Sequence, residues 1–240
     1  GKLAMERLNK MRPFMASGMR HLDIGAGGGE FTYLAARHGL DAQGIDPNSG
    51  YLDFGREAYS VPLATKEIAD LPTDEKFDVI TLFHVLEHLA HPQDVVDQIH
   101  SLLKPNGIFV VEIPNLESKR TSPTNTYFKA HISYFTNLAL QVLLAGRFKI
   151  EVMENTDVLF AICQKRDPIE KVDTQDLRRQ SVALGNKRLK SKAMGEYLMN
   201  GGAFSVLGKI SRMSDEKSGT KGKDAKAILD DLFDVSAGAF

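Results

Sequence analysis

Tryptophan is absent and cysteine occurs once, as Cys163, in this chain of 240 residues. A single thiol cannot close an internal disulfide, so no disulfide framework holds the fold, which suits a reducing compartment. Set in an apolar run, Cys163 reads as a buried core thiol. Net charge is nearly absent too: 30 Lys and Arg against 31 Asp and Glu leave −1 at pH 7. That supplies no global field to gather nucleic acid or an anionic membrane, and a nucleic-acid partner is not expected. No apolar run approaches a membrane span, and the first residues lack the charged-then-apolar signature of a secretory signal. A cytoplasmic location without a membrane partner is the expectation. Internal repeats are missing. What is present, at 42% hydrophobic residues, suffices for one substantial core and an appendage rather than two full domains.

The richest segment is HLDIGAGGGEF, residues 21–31. A strand-like run, Met19 to Ile24, enters a turn built from Gly25, Gly27, Gly28 and Gly29, where a Cβ would block sharp turning or close approach of the backbone to a ligand. Phe31, Leu34, Ala35 and His38 then recur at helical spacing and Gly39 stops the pattern, so the glycines lie at a helix N-terminus with free N–H groups. Such a loop can hold a carboxylate or phosphate. The next run, Ala42 to Ile45, reads as a second strand. Asp46 at its carboxyl end, roughly twenty residues past the glycines, can accept hydrogen bonds from both hydroxyls of a ribose. Pro47 ends the strand. A dinucleotide fingerprint would need a small residue where this chain has Glu30, and that carboxylate would repel a pyrophosphate. NAD and FAD are therefore disfavoured.

What the residues match is D-x-G-x-G-x-G, as Asp23, Gly25, Gly27 and Gly29, and here the chain resembles the class I S-adenosylmethionine-dependent methyltransferases. Later segments resemble the same family in the right order. These are KEIADLP (66–72), FDVITLFHVLEHLAHPQDV (77–95), IHSLLKPNGIFVVEIPN (99–115) and HISYFTNLALQVLLAGRFKIEV (131–152), similar to the ubiquinone-pathway and sugar-modifying branches. The resemblance runs from about residue 19 to residue 165. It implies S-adenosylmethionine as cofactor, with Asp23, Gly25, Ala26, Gly27, Asp46, Pro47 and Phe83 around it. By the same resemblance Glu67 would accept from the adenine amino group and the Ile68 backbone would face the ring.

The alternation of apolar runs with helical patterns predicts an α/β fold with a parallel sheet and helices on both faces. Strands are expected near 19–24, 41–46, 61–64, 77–83 and 107–113. FKIEVMEN and VLFAICQKR, separated only by Thr156 and Asp157, leave no room for a crossover helix and should pair antiparallel. The resemblance makes this a Rossmann-like, seven-stranded, mostly parallel sheet with an antiparallel last strand. Leu8, Met11 and Met15 mark an amphipathic first helix, expected over the cofactor end. Residues 1–166 are read as the cofactor-binding domain and 167–240 as a helical, partly flexible extension. Its helices are placed at roughly 173–199 and 224–234, joined by the Gly- and Lys-rich stretch SDEKSGTKGKDAK. The basic residues Arg178, Arg179, Lys187, Arg188, Lys190 and Lys192 read as a solvated helix face.

Candidate chemistry clusters after the fourth strand, where open α/β sheets bind ligands beyond the strands' carboxyl ends. His84, Glu87 and His88 follow at i, i+3 and i+4, on one side of the chain if that turn is helical. His-x-x-Glu-His also matches the inverted zinc-protease motif, but that motif needs a long helix. Here Phe77 to Phe83 feeds a strand directly into it, so no metal is assigned. His131 ends a long polar connection, Pro114 to Ala130, of the kind that often lines an active site. An acceptor hydroxyl must lose a proton during methyl transfer, and His84 or His131 is the expected base. Tyr127, Phe128, Tyr134 and Phe135 offer aromatic walls. The expected activity is methyl transfer to a hydroxyl of a small molecule: a sugar, glycan precursor or phenolic metabolite. The alternative is a non-catalytic cofactor-binding or scaffold protein acting through its C-terminal helices. Homo-oligomerisation is left open.

Overall fold

A computed structural model of the chain describes residues 1–122, 127–190, 193–200, 220 and 222–237. The strands are β1 (Arg20–Ile24), β2 (Asp41–Asp46), β3 (Leu63–Thr65), β4 (Phe77–Phe83), β5 (Leu103–Pro114), β6 (Phe148–Asn155) and β7 (Val158–Lys165). They form one seven-stranded sheet in the order β3-β2-β1-β4-β5-β7-β6. The helices are α1 (Lys2–Met11), α2 (Glu30–Arg37), α3 (Ser49–Tyr59), α4 (Pro92–Leu102), α5 (Asn137–Leu144), α6 (Gln175–Lys190), α7 (Ala193–Met199) and α8 (Ala225–Ala237). None is long and apolar enough to cross a membrane. The expected linker at residues 214–226 lies mostly outside the described residues, as does Lys192.

The molecule divides into two compact units. The first comprises Gly1–Leu82, Gln98–Phe109 and Thr220–Phe240. In it β1 pairs parallel with β2 on one side and β4 on the other, and β2 pairs parallel with β3. Flanking strands pair both edges of such a strand, and crossover helices cover both faces of a parallel sheet, which leaves none for water. Leu22, Val79, Ile80 and Leu82 are accordingly fully buried. Helix α1 buries Ala4, Met5, Leu8 and Met11 and packs on α2. It ends at Met11, ahead of Pro13 and a short 3₁₀ turn, so Met15 lies outside it. The last helix, α8, returns to pack on α1, α2 and α3. Its Leu229 is buried, and the Phe233 ring lies beneath the guanidinium groups of Arg12 and Arg37.

The second unit comprises Phe83–Asp97 and Val110–Gly219. Its centre is the antiparallel pair β6 and β7, joined through Thr156 and Asp157 with a register irregularity between Ile150 and Val152. Leu159 to Cys163 in β7 are fully buried. Cys163 is thus a core thiol, and burial pushes its pKa up. Helix α5, capped by the Thr136 hydroxyl accepting from the Ala139 N–H, packs on α6. Arg188 on α6 is not part of a solvated face: it is buried and donates to the carbonyls of Leu116 and Ser118.

Candidate active site

In the first unit the glycine loop forms as its residue types require. Gly25, Gly27 and Gly29 take φ of +73°, +53° and +78°, values that a Cβ makes costly. The N–H groups of Gly25 and Ala26 donate to the Ile45 carbonyl at 2.8 and 3.0 Å, which ties the loop to the carboxyl end of β2. Asp46 follows directly. Its Oδ2 accepts from the Gly27 N–H at 3.1 Å and its Oδ1 from the Asn48 N–H at 2.8 Å. A carboxylate oxygen accepts more than one donor, so both oxygens keep acceptor capacity for ribose hydroxyls. A Cβ placed on Gly27 would meet nothing within 4 Å, so the loop leaves open space at that turn. Loop, acid and open space together fit the nucleoside and methionine ends of S-adenosylmethionine.

Other expected cofactor residues lie less directly. Asp23 is buried, and its oxygens accept from the hydroxyls of Thr81 at 2.7 Å and Thr32 at 3.0 Å. Burial raises its pKa to about 6 against those two hydrogen bonds. The structure places it beneath the loop, coupling β1 to β4 and α2, rather than at a surface a ligand could touch. His21 extends the network through Nε2 to Thr81 at 2.9 Å and is kept neutral by burial, with its pKa lowered to about 3. Glu67 is exposed and opens a 3₁₀ turn, its N–H donating to Asp70 at 2.8 Å. The Ile68 carbonyl accepts from Gln98 at 2.8 Å. Ala26 is buried and Pro47 exposed.

Two glycines outside the motif matter as much as those within it. A Cβ on Gly55 of α3 would lie 2.4 Å from the Gly28 carbonyl oxygen, and one on Gly44 of β2 would lie 2.7 Å from Ala26 Cβ and 2.8 Å from the Thr32 hydroxyl. Strand and helix must therefore be bare at these points for the loop to sit down. The sequence shows them only as isolated glycines within a strand and a helix.

In the second unit β4 ends at Phe83, half-buried, and the chain turns at His84, a non-glycine residue at φ +55°. Leu86–His88 form a single 3₁₀ turn rather than an α-helix. The expectation of one helical face for His84, Glu87 and His88 is corrected accordingly. His84 instead lies between two buried carboxylates, with Nδ1 3.2 Å from Glu87 Oε1 and Nε2 3.0 Å from Glu112 Oε1. Burial disfavours the charged ring, but the two carboxylates outweigh it and raise its pKa to about 9. Near neutral pH both ring nitrogens donate, leaving no lone pair for a proton. Glu112, near the carboxyl end of β5, is a site residue that the sequence reading missed. Its signal was an acid inside an otherwise apolar strand, FVVEIP.

His131 joins this group from the other side. The carbonyl of Glu87 accepts from the N–H groups of Ile132 and Ser133 at 3.0 and 3.1 Å, which brings His131 Nε2 to 4.0 Å from Glu87 Oε1. His88 Nδ1 hydrogen-bonds to the Ala130 carbonyl at 2.9 Å, and its ring meets that of His131 edge-on with centroids 5.0 Å apart. The rings of Phe128 and Tyr134 lie 5.5 and 6.4 Å from His131, and Tyr127 lies 5.9 Å from Tyr134. Phe135 is buried. Glu87, His88 and His131 offer donor atoms within 4.8 Å of one another, so a metal ion could be held there.

The profile of a family described as a methyltransferase domain matches residues 2–147. The chain belongs to that methyltransferase family. Its sheet and loop are those of the class I, S-adenosylmethionine-dependent members. Among curated relatives, this methyltransferase is 33% identical over 102 residues to a ubiquinone biosynthesis O-methyltransferase of Actinobacillus pleuropneumoniae, covering 38% of the chain and 44% of the relative. It is 30% identical over 96 residues to that of Coxiella burnetii, covering 38% and 41%. The chain thus spans less than half the length of these relatives. Among solved structures it is similar to the N-methyltransferase NodS of Bradyrhizobium japonicum in complex with S-adenosyl-L-homocysteine, with TM-score 0.55 and 17% identity over 69% of this chain and 87% of that one. An S-adenosylmethionine-dependent methyltransferase from Archaeoglobus fulgidus gives TM-score 0.54 and 24% identity over 79% and 87%. At these identities the structures speak for the fold alone.

Proposed function

We propose that this methyltransferase moves the methyl group of S-adenosylmethionine onto a hydroxyl of a small molecule, and that His131 receives the hydroxyl proton. The observation that carries the reading is the meeting of the glycine loop and Asp46, with Gly27 N–H 3.1 Å from the carboxylate that would take the ribose. When bound, the cofactor supplies an activated methyl carbon: the acceptor oxygen bonds it while the carbon–sulfur bond breaks and its electron pair stays on sulfur. The open turn at Gly27 would face the methionine end, the expected free N–H groups of Gly25, Ala26 and Gly27 being bonded instead to Ile45 and Asp46, and Asp46 would orient the sugar. The protein's contribution is then placement of the acceptor plus removal of one proton.

Of the two histidines expected as base, His131 is favoured because its imidazole is not clamped between carboxylates as His84 is. Glu87, 4.0 Å away, would stabilise the imidazolium formed. A hydroxyl acceptor agrees with the names of the curated relatives, and the polar connection before His131 suits a sugar or phenolic acceptor.

The test has two parts. Calorimetric titration with S-adenosylhomocysteine should show one site per chain, and no heat up to millimolar ligand removes the cofactor reading. Transfer of labelled methyl to a metabolite fraction should fall about a hundred- to ten-thousandfold in His131→Ala with S-adenosylhomocysteine binding intact. Cofactor binding with no transfer to any fraction would instead support a scaffold role.

A further inference from the structure

Glu87 carries the clearest unmet demand in the second unit. Its side chain is 2% exposed, and its Oε2 is sealed from solvent with no hydrogen-bond partner among the described residues. Its Oε1 takes one N–H of His84, whose other N–H goes to Glu112. His84 thus serves Oε1 of Glu87 and leaves Oε2 without a donor among the described residues. Burying a carboxylate oxygen without a donor is costly, because the water it gave up is not replaced. Glu87 also lines a small cavity with Asn115, Thr121, His131, Ser133 and Tyr134. Beside that cavity run the linked rings of Tyr127, Tyr134, His131 and Phe128.

We propose that the acceptor is a hydroxyl compound that also bears a protonated amine, and that Glu87 Oε2 receives that ammonium. This rests on the methyl-transfer reading above and names its substrate class. A neutral hydroxyl would fill one lone pair of Oε2 but bring no charge. An ammonium brings several charged N–H donors to the oxygen that has none, and aromatic faces attract cations. The amine is the anchor and the hydroxyl the nucleophile, with its proton passing to His131 as before. A charge-assisted pair of this kind discriminates an ammonium from its neutral counterpart by roughly ten- to a hundredfold.

The experiment uses the full chain saturated with S-adenosylhomocysteine and two matched probe pairs, glucosamine against glucose and tyramine against 4-ethylphenol, titrated by calorimetry at neutral pH. The expected result is at least tenfold tighter binding of the amine in one pair or both. That preference should vanish in Glu87→Gln while S-adenosylhomocysteine affinity holds. Equal binding within the pairs, failure of both amines at millimolar concentration, or a preference that survives in Glu87→Gln overturns the proposal. So does stoichiometric divalent metal in the purified protein that occludes amine binding, since the cation at Glu87 would then be the metal. Should Glu87→Gln fail to fold, the wild-type pairs decide alone. Failure of S-adenosylhomocysteine to bind strikes the methyl-transfer reading, whereas its binding without charge preference strikes only this one.

Discussion

His84 shows how a residue type can be read correctly while its role is not. A histidine beyond the fourth strand was visible in the sequence. That it would stand at φ +55° between Glu87 and Glu112 was not, because Glu112 arrives from a strand nearly thirty residues later, a non-local pairing that no spacing rule encodes. The consequence is a pH dependence with a definite sign. The folded-state pKa of about 9 stands above the ordinary 6.5, so the native state binds more protons than the unfolded chain between those values. The stabilisation is fully present below about pH 6.5 and is lost as pH rises through 9. Urea denaturation at pH 6.5 and 9.5 should therefore show wild type losing stability over that interval. His84→Asn, destabilised by about 1–3 kcal/mol at pH 6.5 because Glu87 and Glu112 each lose a charged N–H donor, should show a much flatter profile. An equal loss with pH in both proteins would refute the clamp. Asp23 carries the same lesson: the motif marks the position, but only Thr81 and Thr32 show that it acts from below the loop.

Elements were the most legible level, because apolar periodicity is local. β2 and β4 run over the expected residues, and the β6–β7 hairpin turns at Thr156 and Asp157 as its two-residue gap requires. Two elements departed from the reading for identifiable reasons. The His-x-x-Glu-His segment makes only a 3₁₀ turn, since the chain turns extended at Leu89 and Pro92 holds His91 before it out of the helical region. Helix α1 stops before Met15 and packs on α2 with α8, where the apolar pattern shows that a face is buried but not against what. Burial of α8 makes Leu229 a core residue at 1% exposure. Leu229→Ala should cost about 2–4 kcal/mol in urea denaturation, although the residue lies 200 positions beyond Gly29 at the end of the glycine loop. A loss within about 0.5 kcal/mol, the range of ordinary surface substitutions, would show that α8 contributes little to the first unit. Helix α3 is tested through Gly55. A methyl group 2.4 Å from the Gly28 carbonyl must displace backbone, so Gly55→Ala should cost about 1–3 kcal/mol and weaken S-adenosylhomocysteine binding about tenfold. Unchanged affinity would mean that the loop's seat on α3 is irrelevant to the cofactor.

At the scale of the whole molecule, the two proposed tasks fall on different units: the cofactor on the glycine loop and Asp46, the acceptor on Glu87 and His131. Composition and net charge are silent on this division, since it concerns which segments cohere rather than what they contain. It becomes measurable through linkage, because a ligand protects from hydrogen exchange the segments whose opening would release it. Saturation with S-adenosylhomocysteine at about a hundred times its dissociation constant should slow exchange roughly a hundredfold, about 2.7 kcal/mol, in openings that abolish its site. The amides of residues 25–31 and 46–50 should carry that protection. Residues 131–136 should respond chiefly when an amine-bearing acceptor is added, since their backbone is tied to Glu87 through Ile132 and Ser133. The pattern separates the two halves of the functional reading. Protection from S-adenosylhomocysteine confined to 131–136, with 25–31 unaffected, would move the cofactor off the glycine loop and leave Asp46 without its proposed ligand.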